Sequence, residues 1–248
     1  MIKPKLLTKG NFIAEDIIVS VHPSSLVIHD SVKKDIEDIW SEKIKEAEEK
    51  NLNLYNGNSY RLNSFKEEDG KIYLDFGIID FKTRFGLREV LPKIDFDETM
   101  YRNGCYVGAT VKTSNDKYLM ITLSGKSMNR NVNDVLGGVM ETNIKMDSEY
   151  IFNVLYTELN EEAGIEESDI KSMILKAIYQ GMYTNIGFYF ETELLISSDE
   201  ILQRFKSNVD VDVAEIEVYS YDEYLEVLKN HNENKGFIHD LVSGKVEN

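Results

Sequence analysis

The sequence predicts an α/β fold, because segments with the period of a strand are interleaved with segments with the period of a helix. Residues 72–79 alternate, with Ile72, Leu74 and Phe76 on one side of a strand. Later in the chain, apolar residues recur at the i, i+3, i+4, i+7 spacing of a helix face; they are Phe152, Leu155, Tyr156, Leu159 and Ala163. The chain has 248 residues, of which 42% are hydrophobic and 29% charged, as expected for a globular protein with a substantial core.

The amino-terminal part of the chain predicts a small α/β module. Strands are expected at residues 17–21, 24–29 and 72–79. Asp30 or Ser31 can cap a helix that runs to about residue 50. Its apolar face consists of Val32, Ile36, Ile39, Trp40, Ile44 and Ala47. The polar and acidic stretch at residues 95–103 predicts a junction, so we assign residues 1–102 to this module and residues 103–248 to a second domain.

The second domain is predicted to begin with a hairpin. Its strands, residues 105–113 and 117–124, are joined by the turn sequence Ser114-Asn115-Asp116. A polar loop at residues 125–134 leads to Gly137-Gly138 and then to the helix with the apolar stripe. Further strands are expected at residues 174–180, 186–196 and 215–219, and further helices at residues 198–205 and 221–229.

The charge balance argues against one class of partner. Lys and Arg number 28 and Asp and Glu number 44, so the net charge is −16 at pH 7, which repels the phosphates of nucleic acids. The same field repels a substrate that contains a diphosphate, unless divalent cations neutralise charge at the site. No stretch approaches the roughly 20 apolar residues of a membrane span, so we expect no membrane partner.

The single cysteine, Cys105, excludes an internal disulfide framework and a thiolate metal site. The amino terminus lacks the apolar segment of a secretory signal, and together these features predict a cytoplasmic protein. None of the four histidines has the spacing of a zinc ligand pair. Gly137-Gly138 is not part of a Walker loop, and the G-x-S-x-G motif of serine hydrolases is also absent from the sequence.

The helix with the apolar stripe ends in an acidic cluster. Glu158, Glu161 and Glu162 share the edge beside the stripe, and the repulsion between Glu158 and Glu162, four residues apart, costs roughly 0.2–0.5 kcal/mol. Gly164 suits the left-handed position that ends a helix, so the carboxylates lie at the negative end of the macrodipole. Both effects oppose this arrangement unless a cation binds there. The alternative is a solvated acidic helix face, which is common in acidic proteins.

This part of the sequence resembles the Nudix box, G-x5-E-x7-R-E-U-x-E-E-x-G-U, in which U is aliphatic. The matching residues are Glu158, Leu159, Glu161, Glu162, Gly164 and Ile165, and Glu149 falls where the first Glu of the box belongs. Two features depart from the consensus. Thr157 stands in place of the Arg, and the segment from Gly138 to Thr157 is five residues longer, which predicts an insertion around residues 143–147.

Both departures are similar to one branch of the superfamily, the UDP-glucose and UDP-galactose pyrophosphatases with a divergent box. Other segments resemble that branch in the same order; they are Leu52-Asn53-Leu54-Tyr55-Asn56-Gly57, Tyr60-Arg61-Leu62-Asn63-Ser64, residues 77–86 (GIIDFKTRFG) and Lys235-Gly236-Phe237-Ile238. The resemblance covers most of the chain from about His22 onward. It implies the Nudix αβα sandwich with a mixed sheet, preceded by the small α/β module.

The resemblance also implies a metal site on the acidic helix end. Glu158 and Glu162 are expected to be catalytic and, with Glu161, to bind Mg²⁺ or Mn²⁺. Mg²⁺ prefers oxygen ligands and keeps several waters, which suits a few carboxylates plus substrate oxygens. For the general base we favour Glu162 over acids outside the box; those are Glu191, Glu193 and Glu215.

Substrate contacts are expected from several segments. The tight turn Gly137-Gly138 lets the backbone approach a ligand closely, and Glu141 is expected within reach of substrate or metal. An aromatic residue in the amino-terminal module would stack on the base, and the candidates are Tyr55 and Phe81. The remaining candidates are a loop cation, Lys126 or else Arg130, for the diphosphate and Asp134 for a sugar hydroxyl. Core packing is the alternative for the aromatics, and solvent exposure is the alternative for the cations.

These expectations combine into one function with two alternatives. The resemblance implies a Mg²⁺-dependent pyrophosphatase that cleaves a UDP-sugar to UMP and a sugar 1-phosphate. The same reaction on ADP-ribose or another nucleoside diphosphate derivative is the second possibility. The third is a Nudix-fold module that binds a nucleotide without hydrolysing it, as the loss of the box Arg at Thr157 would allow. The sequence leaves the oligomeric state open.

Overall fold

The computed structural model describes residues 3–23, 26–50, 54–95, 101–124, 133–142, 146–207, 213–230 and 233–246. The strands in these ranges are β1 Lys5–Phe12, β2 Ile17–Val21, β3 Asn58–Glu68, β4 Lys71–Asp80, β5 Cys105–Lys112, β6 Tyr118–Leu123, β7 Asn133–Asp134, β8 Ile170–Gln180, β9 Ile186–Leu194 and β10 Val213–Tyr219. The α-helices are α1 Asp30–Glu49, α2 Phe81–Val90, α3 Tyr150–Ala163, α4 Ser198–Ser207, α5 Tyr221–Asn230 and α6 Glu233–Val242. Short 3₁₀ turns lie at Ala14–Asp16, Leu91–Lys93 and Glu167–Asp169.

A mixed sheet of seven strands forms the centre of the fold. Its order is β1-β8-β9-β5-β6-β10, and β7 pairs with β6. β5 runs parallel to β9, with Cys105 opposite Ile186 and Lys112 opposite Glu193, whereas the other described pairs in this sheet are antiparallel. A parallel pair requires a long crossover connection, and α3 lies within the connection from β5 to β9.

A second, three-stranded sheet has the order β2-β4-β3. β2 is parallel to β4, and α1 lies in the connection between them. β3 and β4 form an antiparallel hairpin with the turn at Asp69-Gly70, where both residues have positive φ. α2 follows β4 directly, because the side chain of Asp80 caps the helix by accepting a hydrogen bond from the backbone N–H of Thr83 across 2.9 Å.

Alternating residues on the strands of the large sheet separate two apolar layers. On β5, Val107 and Ala109 face the main core, which also contains residues of α3, of α4 and of the small sheet. Tyr106, the intervening residue, belongs to a second layer with residues of α5 and α6. A third cluster packs α1 and α2 against Ile79 of the small sheet, where Gly86 leaves room for Ile36. Helices therefore cover both faces of the large sheet.

The predicted α/β sandwich with a mixed sheet is confirmed, and so are most of its elements. The helix expected at residues 30–50 is α1, and the strand expected at residues 72–79 is β4, in which Ile72, Leu74 and Phe76 are all buried. The hairpin at residues 105–124 is present, with Thr113 N–H donating to the Lys117 carbonyl across 2.8 Å. Strand β8 begins earlier than expected, at Ile170.

The strand predicted at residues 24–29 was wrong in its described part. Residues 26–29 form no strand, because His29 instead caps α1, with its Nδ1 accepting from the backbone N–H of Ser31 at 3.3 Å. Elements that the sequence analysis did not predict are β1, β3, α2 and α6. α2 lacks the usual sequence signature of a helix because it contains Gly86 and Thr83, which are weak helix formers.

The first strand does not belong to the small sheet. β1 pairs with β8 and so extends the large sheet, although it lies in the predicted module of residues 1–102. The main core includes Phe12, Leu62 and Phe76 together with Val107 and Phe188, so it crosses the predicted boundary at residue 102. Among the described residues, no helix combines the length and the apolar character needed to cross a membrane.

Candidate active site

The segment from Leu136 to Met140 lies along β5 almost as an additional strand. The backbone N–H of Val107 donates to the Gly138 carbonyl at 2.9 Å, and the N–H of Ala109 donates to the Leu136 carbonyl at 2.9 Å. Between these two hydrogen bonds the chain bends at Gly137, which has φ +143°. A Cβ at Gly137 would lie 2.3 Å from the Val107 carbonyl oxygen, so only glycine fits this approach.

Helix α3 presents its carboxyl end to this glycine turn. Its stripe residues Phe152, Leu155, Leu159 and Ala163 are buried as expected, and Tyr156 is half-buried. The helix ends where predicted, at Gly164, which adopts the left-handed conformation with φ +65° and ψ +26°. Its N–H donates to the Asn160 carbonyl at 2.8 Å, and this closes the last turn.

Two carboxylates of α3 contact the same glycine turn. The backbone N–H of Gly137 donates to Oε2 of Glu162 across 2.9 Å, and Glu162 is buried, with 8% of its surface exposed. A Cβ at Gly138 would lie 1.8 Å from Oε1 of Glu158, so the Glu158 carboxylate occupies the space that a side chain at Gly138 would fill. We call the arrangement of Glu158, Glu162, Gly137 and Gly138 the acidic turn.

The acidic turn fits a hard divalent cation held by few protein ligands. Mg²⁺ typically takes one or two carboxylates and completes its coordination with water and substrate phosphates. Glu161, the third predicted ligand, is exposed, and in the described part of the chain no three His, Cys, Asp or Glu side chains form a group that could hold a metal ion. The structure therefore brings Glu158 and Glu162 together and leaves Glu161 apart from them.

The small sheet abuts the segment that follows the glycine turn. The N–H of Tyr60 donates to the Met140 carbonyl at 2.7 Å, and Ser59 pairs with Glu141. Glu141 itself is exposed, and the hydroxyl of Tyr150 donates to its carbonyl. Burial raises the pKa of Tyr150, and the nearby charges of Glu141 and Glu158 add to the rise, so its hydroxyl keeps its proton. Glu141 thus follows the glycine turn by three residues, and its reach to substrate or metal stays a prediction.

The segments that carry Tyr55 and Phe81 meet at one corner of the small sheet, which we call the aromatic corner. The N–H of Phe81 donates to the Gly57 carbonyl at 2.8 Å, and Asn56 Nδ2 donates to Asp80 at 3.0 Å. Tyr55 is 79% exposed, so its ring is available to a ligand. Phe81 is half-buried between other rings, with centroid distances of 5.9 Å to Trp40 and 6.0 Å to Phe85. Of the two predicted stacking residues, Tyr55 is the accessible one.

Three arginines, Arg61, Arg84 and Arg102, form a cationic group near this corner, which we call the arginine cluster. All three raise the positive potential at Cys105, and burial lowers the pKa of each guanidinium. The guanidinium carbon of Arg84 lies 5.3 Å from the ring centroid of Phe81. Burial lowers the pKa of Arg84, and the charge of Glu141 opposes that shift. The sequence analysis did not single out any of these arginines, although Arg84 lies within the quoted motif FKTRFG.

Asp134, predicted to hold a sugar hydroxyl, lies in a different environment. Its Oδ1 accepts from the N–H of Val135 at 2.9 Å and is 3.6 Å from Nζ of Lys235. Burial lowers the pKa of Lys235, and Asp134 opposes that shift. Asp134 also acts electrostatically on Tyr106 and Tyr179, which belong to the layer under α5 and α6. The structure therefore pairs Asp134 with α6 and does not place it with Glu158 and Glu162.

The remaining predicted residues are two loop cations and three candidates for a base outside the box. Lys126 and Arg130 lie outside the described residues. Among the candidates for a base outside the box, Glu193 pairs with Lys171 at 2.8 Å and Glu191 lies 3.4 Å from Lys176, so both have a lysine partner. Glu215 is exposed on β10. None of these three contacts the acidic turn through any described hydrogen bond or ion pair.

The box Arg position, Thr157, does not brace the helix. Its hydroxyl donates to the Asn153 carbonyl of the preceding turn at 3.0 Å, and the residue is exposed. A cation from α4 instead approaches the end of α3, since Arg204 Nη1 donates to the Gly164 carbonyl at 3.4 Å and also bonds Asp169. A positive charge at a helix carboxyl end stabilises the macrodipole. The sequence gives no signal for this contact, because 47 positions separate Thr157 from Arg204.

The insertion predicted around residues 143–147 contributes to the start of α3. Residues 143–145 lie outside the described residues. Asp147 Oδ1 accepts from the N–H groups of Glu149 and Tyr150 at 3.1 and 3.0 Å, and so satisfies two donors at the helix amino end. Glu149, at the position of the first Glu of the box, is exposed.

Comparison with known proteins gives matches to solved structures only. No protein-family model matches the sequence, and no curated protein matches it. A NUDIX hydrolase from Nitrosomonas europaea is similar over 57% of this chain and 90% of its own, with 19% identity and a TM-score of 0.42. The NUDIX domain of Shewanella oneidensis NrtR, complexed with ADP ribose, is similar over 64% of this chain and 97% of its own, with 10% identity and a TM-score of 0.38.

A third match is a bifunctional NMN adenylyltransferase/ADP ribose pyrophosphatase from Francisella tularensis, complexed with AMP and a Mn ion. It is similar over 65% of this chain, with 14% identity and a TM-score of 0.40. The match spans 46% of that protein, so less than half of its length corresponds to this chain.

Proposed function

We propose that this protein is a divalent-metal-dependent Nudix pyrophosphatase that hydrolyses a UDP-sugar, UDP-glucose or UDP-galactose, to UMP and a sugar 1-phosphate. The observation that carries the proposal is the acidic turn. Glu158 and Glu162 lie against one Gly-Gly turn at the negative end of α3. Two like charges at this end of the helix macrodipole favour the binding of a cation.

The chemistry follows from these residues. Glu158 and Glu162 would hold Mg²⁺ or Mn²⁺, which, when bound, supplies a Lewis acid that neutralises the diphosphate and activates water. The Gly137 N–H fixes the orientation of the Glu162 carboxylate by donating to one of its oxygens. We assign to Glu162 the role of accepting the proton of the attacking water. Tyr150, kept protonated by burial, orients the backbone at Glu141.

The nucleotide end of the substrate is assigned to the small sheet. The aromatic corner lies near the start of β3, and β3 pairs with the segment that follows the glycine turn. Ser59 pairs with Glu141, and the Tyr60 N–H donates to the Met140 carbonyl. The ring of Tyr55 is exposed and that of Phe81 is half-buried, so Tyr55 offers a stacking surface for a base. This arrangement supports a role for the amino-terminal module in nucleotide binding and favours a nucleoside diphosphate substrate over inorganic pyrophosphate.

The test is metal-dependent release of nucleoside monophosphate. The purified protein is incubated with UDP-glucose, UDP-galactose and ADP-ribose, with Mg²⁺ and with EDTA, and products are separated by ion-exchange chromatography. We expect UMP from a UDP-sugar only with metal, and loss of that release in Glu162→Gln. Release from ADP-ribose alone would change the substrate class. Binding of UDP-glucose without any release would contradict hydrolysis and would favour a nucleotide-binding module.

A further inference from the structure

We infer that Arg84, supported by the positive potential of Arg61 and Arg102, binds a phosphoryl group of the ligand, and that it does so without the metal. Arg84 has not been assigned any role above. The identity of that ligand as a nucleoside diphosphate rests on the proposed function, whereas the anion site itself does not depend on hydrolysis.

The side chain of Arg84 packs against Gly104. A Cβ at Gly104 would lie 2.6 Å from Cδ and 3.5 Å from Nη1 of Arg84, so the arginine occupies the space that a side chain at this position would need. Gly104 pairs with Arg61 of β3, and the Asn103 side chain donates to the Arg84 carbonyl at 3.0 Å. The side chain of Arg84 is therefore held against the backbone between the small and the large sheets.

The arginine cluster brings three positive charges close to Cys105. In the ranges that the structure describes, neither Arg84 nor Arg102 makes an ion pair with a carboxylate, and Nε of Arg102 is buried without a hydrogen-bond partner there. Glu141 acts on Arg84 as a nearby charge. Burying cations together costs free energy unless an anion compensates them. This protein has a net charge of −16, so carboxylates for ordinary pairing are abundant.

Asp75, a carboxylate near the cluster, is already bonded to other side chains. It accepts hydrogen bonds from Ser20 at 2.9 Å and from Asn63 at 3.1 Å, and it contacts His22. A guanidinium offers a fork of donors that matches two oxygens of a phosphate, so a phosphoryl group is the anion that this cluster fits best. Because the guanidinium of Arg84 lies 5.3 Å from the ring centroid of Phe81, an anion held by Arg84 would lie near that ring.

The experiment measures anion binding with the metal removed. Pyrophosphate and UMP are titrated into the full-length protein in EDTA by isothermal titration calorimetry. We expect Arg84→Met to weaken pyrophosphate binding by about tenfold or more, because one charge-assisted, two-pronged contact is lost. The matched control is Arg88→Met, one turn later on α2, where the exposed arginine lies over the ring of Tyr183 at 4.7 Å. It should bind pyrophosphate as the unmodified protein does.

Two further variants cover the case in which Arg84→Met does not fold, as judged by circular dichroism and thermal unfolding. Arg84→Lys keeps the charge and removes the fork, and Gly104→Ala keeps Arg84 but displaces it by the clash at Cδ. Both should weaken pyrophosphate binding. Equal binding by these variants, by Arg88→Met and by the unmodified protein would overturn the inference, as would the absence of pyrophosphate binding in EDTA. Arg84-dependent anion binding in a protein that releases no UMP would keep this inference and contradict the pyrophosphatase.

Discussion

The acidic turn and the arginine cluster are two charged regions of opposite sign, and they are held in place differently. In the acidic turn, both charges lie on one helix that ends at a left-handed glycine, and a single contact from a distant segment, the Gly137 N–H, reaches Glu162. In the arginine cluster, segments far apart in the chain position the charges, since β3, α2 and the start of β5 converge on Gly104. Each region gathers like charges, so a ligand of the opposite charge would stabilise it. In our proposals the acidic turn binds a metal and the arginine cluster binds a phosphoryl group, and metal-assisted hydrolysis of a diphosphate needs both.

The largest effect is expected from Glu158→Gln, which removes a charge from the acidic turn and keeps the shape of the side chain. Because the cation would lose one of its two carboxylates, kcat for UDP-sugar hydrolysis should fall by about 100-fold or more, or about 2.7 kcal/mol of transition-state stabilisation. KM should change less. Steady-state assays of UMP release measure both constants. Retention of kcat in Glu158→Gln would contradict the assignment.

The matched control for this variant is Glu161→Gln, one turn of the helix away on the exposed side. The structure places Glu161 outside the acidic turn, so its loss should lower kcat much less than the loss of Glu158. An equal loss of activity in both variants would show that three carboxylates act together, as the sequence analysis predicted.

The second-largest loss of activity is expected from Gly138→Ala. The added Cβ would lie 1.8 Å from Oε1 of Glu158, so the carboxylate must move away from the turn. We expect activity to fall by about tenfold or more, while the fold persists, because the clash involves the end of a flexible side chain. UMP release and the thermal unfolding midpoint should be measured together. The control is Gly236→Ala on α6, where an added Cβ meets nothing within 4 Å.

Asp169→Asn tests the cation at the end of α3. Burial alone would raise the pKa of Asp169, but hydrogen bonds from Arg204 and from the Glu166 N–H lower it below 3.8. The pair should contribute about 1 kcal/mol, allowing for solvent screening of Arg204, whose side chain is 37% exposed. Because the pKa is lower in the folded state, this contribution is complete above 3.8 and is lost as the pH falls through the folded-state value.

Urea unfolding measures this contribution at neutral pH and at a pH below the folded-state pKa of Asp169. The unmodified protein and Asp169→Asn should differ at neutral pH and converge in acid. Asp35→Asn, on the exposed side of α1, is the control. A constant difference in the free energy of unfolding at both pH values would contradict the role of the ion pair.

The smallest effect is expected from Thr157→Ala. The Thr157 hydroxyl bonds only its own helix in the described contacts, and alanine is the better helix former, so stability should rise by up to about 0.5 kcal/mol. The kcat for UMP release should stay within about twofold, a difference of roughly 0.4 kcal/mol. A loss of activity would show that the position of the box Arg is still used by this chain.

The contrast between the two regions also explains what the sequence could predict. Glu158, Glu162 and Gly164 follow from helix periodicity and a helix end, which are local, and so does the α/β fold with α1, α3 and β4. Arg84 could not be predicted in this way, because the role that we propose for it depends on its packing against Gly104, 20 positions later in the chain. Asp134 was a sequence candidate for binding a sugar hydroxyl, whereas the fold pairs it with Lys235.

The most direct test of the acidic turn is a titration of Mn²⁺ into metal-free protein, with free Mn²⁺ followed by electron paramagnetic resonance. We predict about one Mn²⁺ bound per chain, and binding weakened by about tenfold or more in Glu162→Gln but unchanged in Glu167→Gln, an exposed glutamate beyond the helix end. The same Mn²⁺ affinity in Glu162→Gln and in the unmodified protein would contradict the account.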